Sequence, residues 1–359
     1  METVSKLVYD CSFGGSSQQP NNQVNINARY FDKLPNFYQL KGNQDSTLIF
    51  DSRFESGNLH KATQIGEFEY DLDLKFDHGS STPLSQWFYF RVTNLKKGQS
   101  YRLNIINLIK PDSLYNHGMR ILCYSRKQAE LRSIGWHRTG SDIKYNISKK
   151  KPLFTQQVVF HTLSWCFEAE YDADTVYFAH CYPYTYSDCQ LMLRRLCGPS
   201  VYKDRMRRTE LCRTKAGNVC DMLIVTNFLS SQDAIAERKC VIICSRVHPG
   251  ESNASFIMEG FLEFILGNEP CAKTLRDHFV FKIVPMLNPD GVIVGNYRCS
   301  LSGLDLNRQW QNPSMKQTPE IHAMKDMIRK TLECRDVHLF IDIHGHSRQK
   351  NLFIYGCQH

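Results

Sequence analysis

The chain has 359 residues, enough for about two domains and an ample buried core. Its 44 basic and 36 acidic residues leave a charge of +8, which is compatible with an acidic partner without requiring one. No apolar run approaches the ~20 residues of a membrane span, METVSKLVYD has no charged-then-apolar signal pattern, and 14 cysteines lie without a CxxC pair; this argues against a membrane protein or a disulfide-framed secreted one and leads us to expect buried thiols in the cytosol.

Residues 1–43 are mixed and polar, with Gly14–Gly15, Ser16–Ser17 and Pro20–Asn22, and read as a lead-in. Residues 44–182 read as strands. Phe68, Tyr70, Leu72, Leu74 and Phe76 alternate with Glu69, Asp71, Asp73 and Lys75, a period of two. Similar runs follow at Gln86–Thr93, Tyr101–Leu108, Met119–Tyr124, Gln157–Phe167 and Thr175–Tyr182, several of them separated by turn-forming stretches. Short strands with turn residues and few helical patterns predict an all-β unit, an antiparallel β-sandwich. The basic groups Lys149–Lys151 and Arg205–Arg208 are short and read as solvated surface, so no nucleic acid is expected as a partner.

The pattern changes near Pro183, and residues 183–359 read as an α/β domain. Asp188–Leu196 is a short amphipathic helix closed by Gly198–Pro199. From Lys239 onward, apolar strand runs alternate with helical patterns, as in a largely parallel sheet. Val241–His248 is the first core strand. Pro249 and Gly250 turn the chain, and Glu251 opens a helix whose stripe is Ala254, Ile257, Met258, Phe261, Leu262 and Ile265. Phe279–Leu287 is the second strand. Thr318 and Pro319 start a helix as N-cap and first residue, with Ile321, Met324, Ile328 and Leu332 on one side. Val337–Ile343 is the third strand.

His248 and Glu251 offer an imidazole and a carboxylate, a pair suited to Zn²⁺, which needs a third ligand from elsewhere. Taken alone, HxxE more readily fits a surface histidine beside a helix start. What strengthens it is that the other two core strands end in Asn288-Pro289-Asp290-Gly291 and His344-Gly345-His346. All three would release ligand-type residues at one sheet edge, where open α/β sheets bind ligands. Between them, Arg298, Asn307 and Arg308 suit a carboxylate or oxyanion, because a guanidinium donates paired charge-assisted hydrogen bonds. The competing reading is a structural salt bridge, for instance to Asp305 or Asp290. His346, two residues past His344, reads as a residue that supports the ligands from behind or packs, with replacement of His344 as ligand as the alternative.

HPGE, NPDGVIVGNYR, LDLNRQW and DIHGHSRQKNLFIYGC, with YFAHCYPYTYSD at Tyr177–Asp188 and LIFDSRFESGNL at Leu48–Leu59, together resemble the cytosolic carboxypeptidases, a branch of the zinc metallocarboxypeptidases. The resemblance implies one zinc held by His248, Glu251 and His344, and removal of C-terminal residues from peptides. It implies that Asn307 and Arg308 grip the substrate's terminal carboxylate and that Arg298 polarises the scissile carbonyl. It further implies acidic protein tails as partners, with polyglutamylated tubulin among them, and a β-sandwich ahead of the catalytic domain. The family's general-base glutamate lies well downstream of the third ligand, past His359. The expectation is therefore a fragment or short isoform with a C-terminally incomplete α/β domain, little peptidase activity of its own and an uncovered sheet edge. Two other readings are a zinc deacylase of N-acyl amino acids and a non-catalytic form that binds acidic tails.

Overall fold

The computed structural model describes residues 5–12, 35–151, 158–198, 202–346, 349 and 351–356. The first half is two packed sheets. One runs, in spatial order, Lys6–Asp10, Leu59–Gly66, Glu69–Leu74, Ser100–Leu108, His161–Glu168 and Ser141–Ile147. The other runs Ile49–Asp51, Tyr89–Thr93, Val176–Ala179, Ile121–Ser125 and His137–Thr139. The period of two does what it should: Tyr70, Leu72 and Leu74 point inward and meet Phe90, Trp165 and Phe178 in one core. Phe76, past the strand end, is exposed and stacks on Phe160 instead.

One pairing in the sandwich is parallel, between Glu69–Leu74 and Ser100–Leu108. Its cause is the route of the chain, which crosses to the opposite sheet as Tyr89–Thr93 before returning. The lead-in also departs from a plain polar tail. Lys6–Asp10 is an edge strand that buries Val8 and Tyr9, whereas Gly14–Gly15, Ser16–Ser17 and Pro20–Asn22 lie outside the described residues.

The second half is a three-layer unit around a sheet ordered Met206–Arg213, Val219–Val225, Phe279–Val284, Lys239–Ser245 and Val337–Ile343. The first two strands are a hairpin that the sequence pattern did not suggest, and the RMRR group lies at its start, where Arg208 donates to Asp221 at 2.7 Å. The sheet is accordingly mixed: its hairpin side is antiparallel, and Lys239–Ser245 is parallel to both of its neighbours. Val241 and Ile243 pack under the helices Tyr186–Cys197 and Asn253–Leu266, while Cys240, Ile242 and Cys244 pack under Pro319–Leu332. Coverage of both faces explains why this strand reads as a continuous apolar run. By contrast Val337–Ile343, read from sequence as a core strand, is an edge strand, with Leu339, Phe340 and Ile341 exposed.

Helix Pro319–Leu332 begins at Thr318 and Pro319 as expected, but the Thr318 hydroxyl accepts from Ser314 N instead of capping the first turn. Its buried stripe is Ile321, Met324, Met327 and Thr331, and Leu332 points to solvent. Beside the stripe lies Glu320, buried, with Oε2 lacking a partner among the described residues. Burial, joined by the charge of Asp290, raises its carboxyl to about 7. The folded state then holds this proton more tightly than the unfolded chain does. The stabilising proton is fully present below the ordinary glutamate range and is lost as pH rises through about 7. Glu320→Gln should therefore gain stability over the native chain between pH 5 and pH 8, by up to roughly 3 kcal/mol. Denaturant unfolding at the two pH values reads this, and parallel pH profiles for both proteins would refute it.

Candidate metal centre and carboxylate grip

The registers Cys244↔Val284 and Ser245↔Ile343 bring the carboxyl ends of three strands to one edge. Two bonds tie the ends together: Ser245 Oγ donates to Pro285 O at 2.6 Å and Asn288 Nδ2 to Val247 O at 3.0 Å. The chain then bends sharply. Arg246 takes a left-handed conformation (φ 59°), and its buried guanidinium donates to Pro249 O at 2.7 and 3.1 Å, to Tyr184 O at 3.0 Å and to Ser255 Oγ at 2.8 Å. Burial lowers this group to about 10, so it stays charged at neutral pH. It clamps the turn that carries His248 and Glu251. Gly250 is required here, because a Cβ would stand 2.3 Å from the Tyr297 ring. Glu251 precedes helix Asn253–Leu266 by two residues instead of opening it, and its carboxylate swings back to the sheet edge.

His248, Glu251 and His344 meet there, each offering a ligand atom within 4.8 Å of the others. Both imidazoles present Nδ1 to the same carboxylate: His248 lies 3.0 Å from Oε1 and His344 2.9 Å from Oε2. Their Nε2 atoms face outward to two further carboxylates, Asp305 at 3.0 Å and Asp342 at 2.7 Å. Burial opposes charge throughout, yet the partners win. Burial would raise Glu251, but the two imidazoles hold it down to about 2; burial would lower His344, but Asp342 and Glu251 raise it to about 10. His248 is likewise raised by Asp305 and Glu251 against burial. Three carboxylates around two imidazoles form a cage that favours positive charge, and Nδ1 atoms converging on Glu251 are the donor set that zinc takes. The outward carboxylates fix ring orientation, as such partners do in metal sites.

Asn307 and Arg308 follow on a short turn whose start is capped by the Asp305 side chain. Asn307 Nδ2 lies 3.4 Å from His344 Nε2, and its Oδ1 accepts from Trp310 at 2.9 Å. Arg308 is exposed; it donates to its neighbour's carbonyl at 3.2 Å, and no carboxylate holds it among the described residues. Arg298 differs, since its Nε donates to Asp305 at 2.8 Å, the salt bridge weighed from sequence. His346 lies outside the cluster and accepts from Gln349 N at 2.8 Å.

The sandwich also reaches this site. Asp77 accepts from the N–H groups of Tyr297, Arg298 and Cys299 at 2.6, 2.7 and 2.8 Å, and His78 N donates to Asn296 Oδ1 at 2.8 Å. Nearby, Gly79 and Gly303 touch backbone to backbone, so close that a Cβ on Gly303 would stand 2.0 Å from Gly79 O. Ser56 N and Oγ bond Ile293 O and Val292 O at 2.9 and 2.7 Å.

A family model described as zinc carboxypeptidase matches residues 200–359, and one described as the cytosolic carboxypeptidase N-terminal domain matches residues 50–181. The chain belongs to the cytosolic carboxypeptidases. It is 49% identical over 318 residues to human cytosolic carboxypeptidase 2, covering 89% of this chain and 35% of that protein. It is 48% identical over 316 residues to cytosolic carboxypeptidase 3 of Bos taurus, covering 88% and 31%. The chain thus spans about a third of the length of these relatives. Among solved structures, a metallo-carboxypeptidase from Burkholderia cenocepacia superposes with TM-score 0.67 and 26% identity over 84% of this chain and 72% of that one.

For this cytosolic carboxypeptidase chain, sequence reasoning missed Asp342, Asp77 and Arg246, and weighed Asp305 only as a salt-bridge partner. Asp342 could have been found from its position two residues before His344 on a strand, which places both on one face. Asp77 carries no local pattern, since its partners lie some 220 residues away. Asp77→Ala would leave consecutive N–H groups without an acceptor, at a cost of about 1–3 kcal/mol each where they stay buried. Denaturant unfolding should show a loss of at least ~2 kcal/mol, with Asp77→Asn milder; unchanged stability would mean that the Arg298 loop does not depend on the sandwich.

Proposed function

We propose that this chain carries the zinc centre and carboxylate grip of a cytosolic metallocarboxypeptidase that removes C-terminal glutamates from acidic protein tails, polyglutamylated tubulin among them. The observation that carries the reading is the convergence of His248 Nδ1 and His344 Nδ1 on the two oxygens of Glu251. His248, Glu251 and His344 would hold the ion, with Asp305 and Asp342 orienting the rings. Zinc, when bound, supplies Lewis acidity for a water and for the scissile carbonyl. The chain's own residues bind and polarise the substrate. The exposed Arg308 guanidinium, with Asn307 beside it, takes the terminal carboxylate of the substrate. Arg298, steadied by Asp305 and by the backbone bonds to Asp77, donates to the carbonyl oxygen as negative charge develops there; donors so placed commonly contribute ~3 kcal/mol. The net charge of +8 suits an acidic tail. Among the described residues no helix is long and apolar enough to cross a membrane.

Metal analysis of the purified protein should give about one zinc at this centre, lost in His248→Ala. Retention of that zinc in the variant would remove the assignment. For the grip, steady-state kinetics of a chain extended past His359 to the family's general-base glutamate, on a glutamyl-terminated peptide, should divide the arginines. Arg308→Ala should chiefly raise KM, because it binds a group already charged in the ground state. Arg298→Ala should chiefly lower kcat, by about 10²-fold, because its bond strengthens only in the transition state. Equal effects of both variants on both constants would show that the roles are wrongly divided.

A further inference from the structure

A second group of ligand-type side chains sits at the edge of the six-stranded sheet. Asp10, Cys11 and His60 each offer a ligand atom within 4.8 Å of the other two. Their meeting follows from strand register. Asp10 pairs with Lys61, so the next residue falls opposite His60, and Cys11 N donates to His60 O at 2.9 Å. The chain turns immediately after, and Ser12 N and Oγ both donate to Asp10 Oδ1, at 3.0 and 2.7 Å, which holds that carboxylate beside the thiol. All three residues are half-buried, neither sealed from solvent nor free in it.

We propose that Asp10, Cys11 and His60 form a second zinc site, separate from the centre at His248. A thiolate, an imidazole and a carboxylate make a set that suits Zn²⁺, whereas Mg²⁺ and Ca²⁺ require oxygen ligands. Binding releases the Cys11 thiol proton to solvent as the Zn–S bond forms. The charges then balance, one thiolate and one carboxylate against a divalent ion. Tetrahedral bonds of about 2.0–2.3 Å place donors roughly 3.3–3.8 Å apart, so shifts of about an ångström in these side chains close the site. Lys61 must move aside. Its Nζ is 3.4 Å from Asp10 Oδ2 and its side chain is 41% exposed, so the pair is a weak one that a divalent ion displaces.

Cobalt(II) separates the two sites, because the His248 centre contains only nitrogen and oxygen donors. Titration of zinc-free protein under reducing conditions should produce a thiolate-to-cobalt charge-transfer band in the near ultraviolet. The band should persist in His248→Ala and vanish in Cys11→Ser, while zinc content falls from about two to about one in Cys11→Ser. His60→Ala should weaken cobalt binding at the thiolate site at least ~10-fold. Circular dichroism confirms that each variant is folded, and His60→Gln serves in place of any His60→Ala that is not. Absence of the band in the native protein, its survival in Cys11→Ser, or unchanged cobalt affinity in the folded His60 variant would each overturn the proposal.

Discussion

Strand Lys239–Ser245 is hydrogen-bonded in parallel to a neighbour on each side, and parallel pairing sends all three chains out of the sheet in the same direction. Each crossover between such strands needs a dozen or more residues, so Glu251, Asn288 and His344 are far apart in sequence and leave the sheet at one edge. A shift of one residue in either register would turn a histidine ligand or its supporting carboxylate to the wrong face. Helices on both faces of Lys239–Ser245 shield the strand that leads to His248, whereas Val337–Ile343, which leads to His344, is exposed. The geometry of this edge is thus set by backbone pairing first and by side-chain chemistry second.

Electrostatics at that edge are organised in two shells of opposite sign. Glu251 stands between two imidazoles, and Asp305 and Asp342 stand behind them. Asp305 also joins this cage to Arg298, since one of its oxygens faces His248 and the other faces the guanidinium. The same carboxylate caps the turn bearing Asn307 through a bond of 2.9 Å. His248, Arg298 and the turn bearing Asn307 therefore share one support, and changing Asp305 would disturb all of them together.

Much of this was legible in the sequence because the relevant patterns are local. The strand at Lys239–Ser245, the helix following Glu251 and the Thr318–Pro319 helix start are each carried by neighbours within a few residues. The hairpin of Met206–Arg213 and Val219–Val225 was not legible, since its exposed face is mixed and its basic run hides the alternation. The edge position of Val337–Ile343 does not show in the strand's own residues, since a continuous apolar run looks the same whether a neighbour covers it or not. Arg246 escaped because a buried guanidinium satisfied by carbonyls leaves no acidic partner in the sequence. Asp77 escaped because nothing near it in the chain announces its partners.

The contact of Gly79 with Gly303 sets a limit on variation. Surface loops ordinarily accept insertions and substitutions freely, because their backbone is solvated and little rests on their shape. These two loops have lost that freedom. Both glycines have positive φ (72° and 73°); a Cβ on Gly303 would overlap Gly79 at 2.0 Å, and one on Gly79 would crowd Gly303 at 3.2 Å. Substitution of either strains its own backbone and also pushes the opposing loop away, carrying Asp77 from one and the stretch between Arg298 and Asp305 from the other. Among descendants of this sequence the two positions should therefore remain glycine together, and length changes should accumulate elsewhere on the sandwich.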